Sequence, residues 1–130
     1  MDYGTSITLE RPHALVVEQV RAALKDQGFG VLTEIDVQAT MREKLGEDTG
    51  PYLILGACNP PLAHRALTED PSIGLLLPCN LVVREHDART VVEALDPTVM
   101  VTLTGDPRLA PVATEAKARL AAALAALASA

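Results

Sequence analysis

The polar and apolar positions of this 130-residue chain change period several times, and each period predicts an element. Residues 5–10 alternate weakly and predict a first strand. Pro12 stands where proline is tolerated, in the first turn of a helix. After it Leu15, Val16, Val20, Ala23 and Leu24 recur at helical spacing and leave Glu18, Arg21 and Lys25 outside. Gly28 reads as the C-terminal cap of that helix. Phe29, Val31, Ile35 and Val37 sit at even offsets, opposite Gly30, Glu34 and Asp36, which predicts a half-buried strand. Residues 38–45 predict a short helix with Met41 and Leu45 on one side, stopped at Gly46. Residues 52–57 form a continuous apolar run of strand length, which belongs in the middle of a sheet. Asn59-Pro60-Pro61 ends it. Asn59 is the right residue to cap a third helix over 60–68 that buries Leu62, Ala66 and Leu67.

Residues 69–74 read as a loop. Residues 79–85 alternate, with Cys79, Leu81 and Val83 on one face and Asn80, Val82 and Arg84 on the other. A polar turn over 86–89 lets 90–95 return as a hairpin partner. Asp96-Pro97 has the form of a helix cap with Val99, Met100 and Leu103 inward, although the β-branched residues of 97–104 suit a strand nearly as well. Gly105-Asp106-Pro107 makes the next break. A final helix over 111–127 aligns Val112, Ala116, Leu120, Leu124 and Leu127 on one stripe, to serve as core or to pack against a partner chain. Five strands, two longer helices and a late hairpin predict an α+β fold. Its sheet is mostly antiparallel, with helices on one face, including a long C-terminal helix. No repeat, linker or charge run divides 1–130, so one domain is expected.

Composition narrows the function classes. Apolar residues are 48% and charged residues 22%, the balance of a globular chain rather than a disordered one. Seventeen acidic against eleven basic residues give a net charge of −6, which denies duplex nucleic acid a cationic face. The only aromatics are Tyr3, Phe29 and Tyr52, too few for the stacking platforms of single-strand binders. Residues 120–128 carry no charge, but nine residues do not span a bilayer, and the N-terminus lacks the features of a signal peptide. The expectation is a cytoplasmic protein with neither nucleic-acid nor membrane partners. In that compartment two cysteines are not expected to form a structural disulfide.

The candidate chemistry centres on those cysteines. Cys58 ends the central strand and Cys79 begins the next. Each is followed by asparagine and lies beside proline, at strand ends of the kind where small-molecule sites gather. A helix starting just after Cys58 would offer free N–H groups that favour a thiolate and lower the pKa of that cysteine. The plainer alternative is that both are small buried hydrophobes. Their separation is neither Cys-x-x-Cys nor a zinc-knuckle spacing. His64, six residues after Cys58, is the natural base or co-ligand, but six is not a chelating interval on a helix. His13 and His86 read as solvated. Glu34 and Asp36 share one strand face roughly 6–7 Å apart, placed for acid–base or divalent-metal chemistry or simply facing solvent. Gly28-Phe29-Gly30 is not a dinucleotide fingerprint, and neither a phosphate loop nor Gly-x-Ser-x-Gly occurs. No catalytic residue, metal set or cofactor is therefore assigned. The candidate ligand-binding or reactive residues are Cys58, Asn59, Cys79, Asn80, His64 and Asp36.

Three stretches taken together carry a family resemblance: Gly28-Phe29-Gly30-Val31-Leu32-Thr33-Glu34-Ile35-Asp36-Val37, Leu55-Gly56-Ala57-Cys58-Asn59-Pro60, and Leu76-Leu77-Pro78-Cys79-Asn80-Leu81-Val82-Val83. With the Asp96-Pro97 and Gly105-Asp106-Pro107 breaks and the amphipathic last helix, residues 5–127 resemble the bacterial and archaeal family called domain of unknown function 302. The resemblance implies a compact α+β domain with an antiparallel sheet, usually a dimer, and no established activity. Its motif positions match Asp36, Cys58, Asn59, Pro60, Pro78, Cys79 and Asn80. The resulting expectation is a homodimeric binding domain with a small-ligand or thiol site at Cys58 and Cys79. Two alternatives stand beside it: a non-enzymatic interaction module whose cysteines are core residues, and a thiol-dependent redox enzyme.

Overall fold

The computed structural model describes residues 1–130. Five strands form one antiparallel sheet: β1 (Gly4–Leu9), β2 (Gly30–Asp36), β3 (Tyr52–Cys58), β4 (Cys79–His86) and β5 (Arg89–Leu95), in the order β1-β5-β4-β3-β2. The helices are α1 (His13–Asp26), α2 (Val37–Leu45), α3 (Pro60–Glu69), α4 (Val99–Thr104) and α5 (Ala110–Ser129), with short 3-10 turns at Pro71–Leu76 and Pro107–Leu109. The fold is α+β, with a long C-terminal helix. No helix is long and apolar enough to cross a membrane. Residues 97–104, where helix and strand competed, include the helix α4. Asp96 decides this locally, because its carboxylate accepts from both the backbone N–H and the hydroxyl of Thr98.

Period-two alternation sorts the sheet into two faces. Leu53, Leu55, Ala57, Cys79, Leu81, Val83, Val92 and Ala94 point to one side, where Val16, Val20 and Leu24 of α1 and Leu120, Leu124 and Leu127 of α5 close over them. The stripe of α5 is thus used within the chain rather than left for a partner. The opposite face carries no helix. The N-terminal half of α5 serves a second, smaller cluster, in which Val112, Ala113 and Ala116 meet Leu62 and Ala66 of α3, Ile73, Met100 and Leu109. The two clusters lie side by side along one helix.

Several expectations are corrected. The even-offset reading of β2 fails at Leu32, where a bulge shifts the register: Val31 pairs with Ala57, but Thr33 pairs with Gly56. Beyond the bulge the alternation is reversed. Ile35 lies opposite Ile54 on the uncovered face and is 50% exposed. Glu34 and Asp36 take the register of Leu55 and Leu53 on the helix-covered side. They are tolerated there because β2 is an edge strand: Glu34 reaches out to Arg21 of α1 at 2.9 Å. Of the apolar pair of α2, Leu45 is left outside, 68% exposed, and Met41 is only half-buried, so no residue of that helix is buried. Leu15 and Leu67 are exposed as well, each one step off the buried stripe of its helix, and so is Leu103, on a helix that buries only Met100.

Gly56 shows how tightly the bulge is packed. A Cβ at this position would lie 2.7 Å from the Pro78 ring and closer still to the Thr33 hydroxyl, so only glycine fits.

Candidate functional site

Between the two clusters the helices do not close. An apolar cavity of about 290 Å³ lies at the seam, near the lower end of the range typical of small-molecule sites. Its sheet-side wall is Phe29, Ala57, Cys58, Cys79 and Pro78. Its helix-side wall is Leu62, Ala63 and Ala66 of α3, Met100 of α4, and Val112 and Ala116 of α5. The space follows from side-chain size. Alanines on α3 and α5 face alanine and cysteine at the ends of β3 and β4, and small residues on both walls leave a gap that backbones alone cannot fill.

Strand pairing brings the two cysteines together, because Ala57 is the register partner of Cys79 and Cys58 is the next residue. Both are free thiols; Cys58 is half-buried and Cys79 is 7% exposed. Burial, reinforced by the neighbouring Cys58, pushes the Cys79 thiol up to about 11, so it stays protonated near neutrality.

Helix α3 starts where expected, directly after Cys58, but its N-terminus offers that thiol no donors. Pro60 and Pro61 have no N–H. The Leu62 N–H donates to Oδ1 of Asn59 at 3.2 Å, and the Ala63 N–H to the Asn59 carbonyl at 2.9 Å. The capping that builds the helix consumes the groups that would have held a thiolate, leaving only the diffuse helix dipole.

The other sequence candidates are dispersed. Asn59 joins the cavity, and its side chain is 8% exposed overall. Asn80 faces the opposite side of the sheet, in a shallow groove with Tyr3, Tyr52 and Leu95. His64 is exposed on the outer side of α3, beside Arg65, Glu69 and Arg108. Asp36 sits at the far end of β2, where its carboxylate caps α2 by accepting from the Ala39 N–H at 2.9 Å. Its motif position thus has a local structural role. His13, read as solvated, instead hydrogen-bonds the Val83 carbonyl at 2.9 Å. No group of three or more His, Cys, Asp or Glu side chains is arranged to hold a metal ion.

One neighbourhood was missed from the sequence. Arg119 of α5 folds back toward the end of α1, and its Nη1 donates to the Gln27 carbonyl at 3.1 Å. Its Nε is buried without an acceptor. Only tertiary structure brings residues 27 and 119 together. The available signal was an arginine lying three residues beyond Ala116, on the side of the helix whose stripe is apolar.

An antiparallel sheet covered on one face, with an apolar two-thiol cavity where the helices part, defines the class of this protein as an α+β domain with a partly open cavity. Residues 5–127 match the family described as Domain of unknown function DUF302, and the chain belongs to that family. It is similar to the uncharacterized conserved protein DUF302 from Bacillus stearothermophilus, whose crystal structure superposes with a TM-score of 0.89 at 33% identity, over 95% of this chain and 97% of that one. No curated protein matches the chain.

Proposed function

We propose that this chain is a homodimeric binding domain whose ligand is a small apolar molecule held in the Cys58/Cys79 cavity. The cavity carries the reading: a preformed, apolar, partly open space is the usual form of a small-molecule site, and here two free thiols stand in its wall. The dimer draws support from the sheet face that carries no helix, where Ile35, Ile54 and Val82 form one register row with Tyr52 beside it, next to the Arg84–Glu93 ion pair. A cytoplasmic setting fits two unpaired thiols, and a net charge of −6 argues against a nucleic-acid partner.

A second reading makes the cysteines simple core residues of an interaction module. It is favoured by the neutral, buried Cys79. A thiol-dependent redox enzyme has less support, since α3 offers Cys58 no free N–H and His64 lies outside the cavity.

Native mass spectrometry of protein purified anaerobically, followed by thiol alkylation of the folded chain, tests the first reading. A dimer carrying an adduct, or one labelled thiol per chain at Cys58, is the expected result. A bare species whose thiols label only on unfolding would transfer support to the second reading.

A further inference from the structure

We propose that the ligand is a medium-chain carboxylate, its hydrocarbon tail in the cavity beside the thiols and its head group held at the rim by Arg119 and Asn59. This rests on the cavity being a ligand site, and adds what the ligand must carry.

The rim is centred on Gly28, which has φ +83° and no side chain. A Cβ there would lie 3.0 Å from Nδ2 of Asn59 and 3.6 Å from Nη1 of Arg119. Two side chains from distant parts of the chain therefore converge beside Gly28, whose lack of a side chain is what lets Asn59 come this close. Both bring donors. Asn59 spends its Oδ1 on the Leu62 N–H, and its Nδ2 makes no hydrogen bond within the protein. Arg119 spends its Nη1 on the Gln27 carbonyl and buries its Nε without an acceptor, but its side chain is still 41% exposed, so part of the guanidinium stays open to an anion.

The charges point the same way. Glu115 is the carboxylate nearest to Arg119, at 3.6 Å, and it is shared with Arg65 at 3.2 Å. Two guanidinium groups thus face one carboxylate, and an anion balances them. A carboxylate also matches the planar donor set of a guanidinium. Rim and cavity adjoin: Asn59, Phe29 and Ala116 line the cavity, Gly28 directly precedes Phe29, and Arg119 lies one helical turn beyond Ala116. A free inorganic anion would use the rim and leave the apolar space empty, whereas an amphipathic acid uses both.

The test is calorimetric titration of the full chain with octanoate and, separately, octan-1-ol, which carries the same tail without the charge. Octanoate should bind at least about tenfold more tightly. Arg119→Met should remove that preference and leave octan-1-ol binding unchanged, and Arg119→Lys should restore part of it. Ala63→Phe, which fills the cavity from α3, should abolish binding of both, with circular dichroism confirming the fold. If octan-1-ol binds as tightly as octanoate, or if Arg119→Met keeps the preference, the head-group assignment is wrong while the cavity reading stands. Full-strength octanoate binding to Ala63→Phe would also overturn the assignment, by placing the acid elsewhere. If neither compound binds, the assignment fails, and thiol labelling alone then decides the cavity reading.

Discussion

The two buried clusters share helix α5 yet are built differently. Under the sheet, Leu24, Leu55, Leu81, Val16, Val20, Val83 and Val92 are sealed from solvent and interlock between the strands and α1. The smaller cluster seals Ile73 and Leu109 as fully, but the wall it turns to the seam is made of Ala66 and Ala116 with Leu62, Val112 and Met100. The first is filled by branched residues with few rotamers; the second stops short of filling its space and relies on a flexible methionine. One region defines the fold, and the other leaves an accessible volume at its boundary. A cavity here requires no special motif, only small residues placed where two packed units adjoin.

The sharpest way to break that comparison is to alter each region in turn. Leu55→Ala, in the sealed cluster, should cost roughly 3–5 kcal/mol in urea denaturation, from lost transfer energy and a cavity that cannot collapse. Ala63→Leu, which adds volume to the seam, should change stability by less than about 1 kcal/mol, because the space is already open. Equal costs would mean that the seam is packed as tightly as the sheet.

A smaller effect separates the two by pH. The folded chain holds the Cys79 thiol protonated up to about pH 11, whereas the unfolded chain releases that proton near 9. Its contribution is therefore complete below pH 9 and is lost as the pH rises toward 11, an alkaline loss of about 3 kcal/mol. Denaturation midpoints measured across that window should fall more steeply for the native chain than for Cys79→Ala. Parallel slopes would show that the thiol wall of the cavity is wetter than its burial implies.

The smallest effect lies at the joint between sheet and seam. Burial works against the Asp96 carboxylate, yet the Thr98 hydroxyl and Lys117, which donates at 3.0 Å, hold it below its usual pKa. Asp96→Ala should cost about 1 kcal/mol at neutral pH, a difference that shrinks as acid protonates the native carboxylate through its lowered pKa. Thermal unfolding at neutral and acidic pH measures both parts.

The helices that cover the sheet were legible because burial enforces their period: Val16, Val20 and Leu24, then Leu120, Leu124 and Leu127. β3 was legible because a central strand can be apolar throughout. β2 was not, since a single bulged residue reverses every side chain after it and nothing in 30–36 announces the bulge. The same logic divides the site. Cys58, Asn59 and Cys79 were found because strand ends adjoin. Asn80 could not join them, because consecutive strand residues point to opposite faces. His64 lies two residues from both Leu62 and Ala66, which turns it outward once those two face in. Gly28 and Arg119 stayed hidden because α1 and α5 must dock before their ends meet.

The strand order also implies an order of assembly. β2, β3, β4 and β5 form a meander in which each strand pairs with its neighbour in sequence, so this part of the sheet closes through local contacts. β1 pairs with β5, joining Gly4 to Leu95, and is the one strand whose partner lies most of the chain away. Local contacts form faster than distant ones, so the meander has a kinetic head start. On a ribosome the first strand made becomes the last to be placed, and β5 offers an open edge to other chains until it arrives.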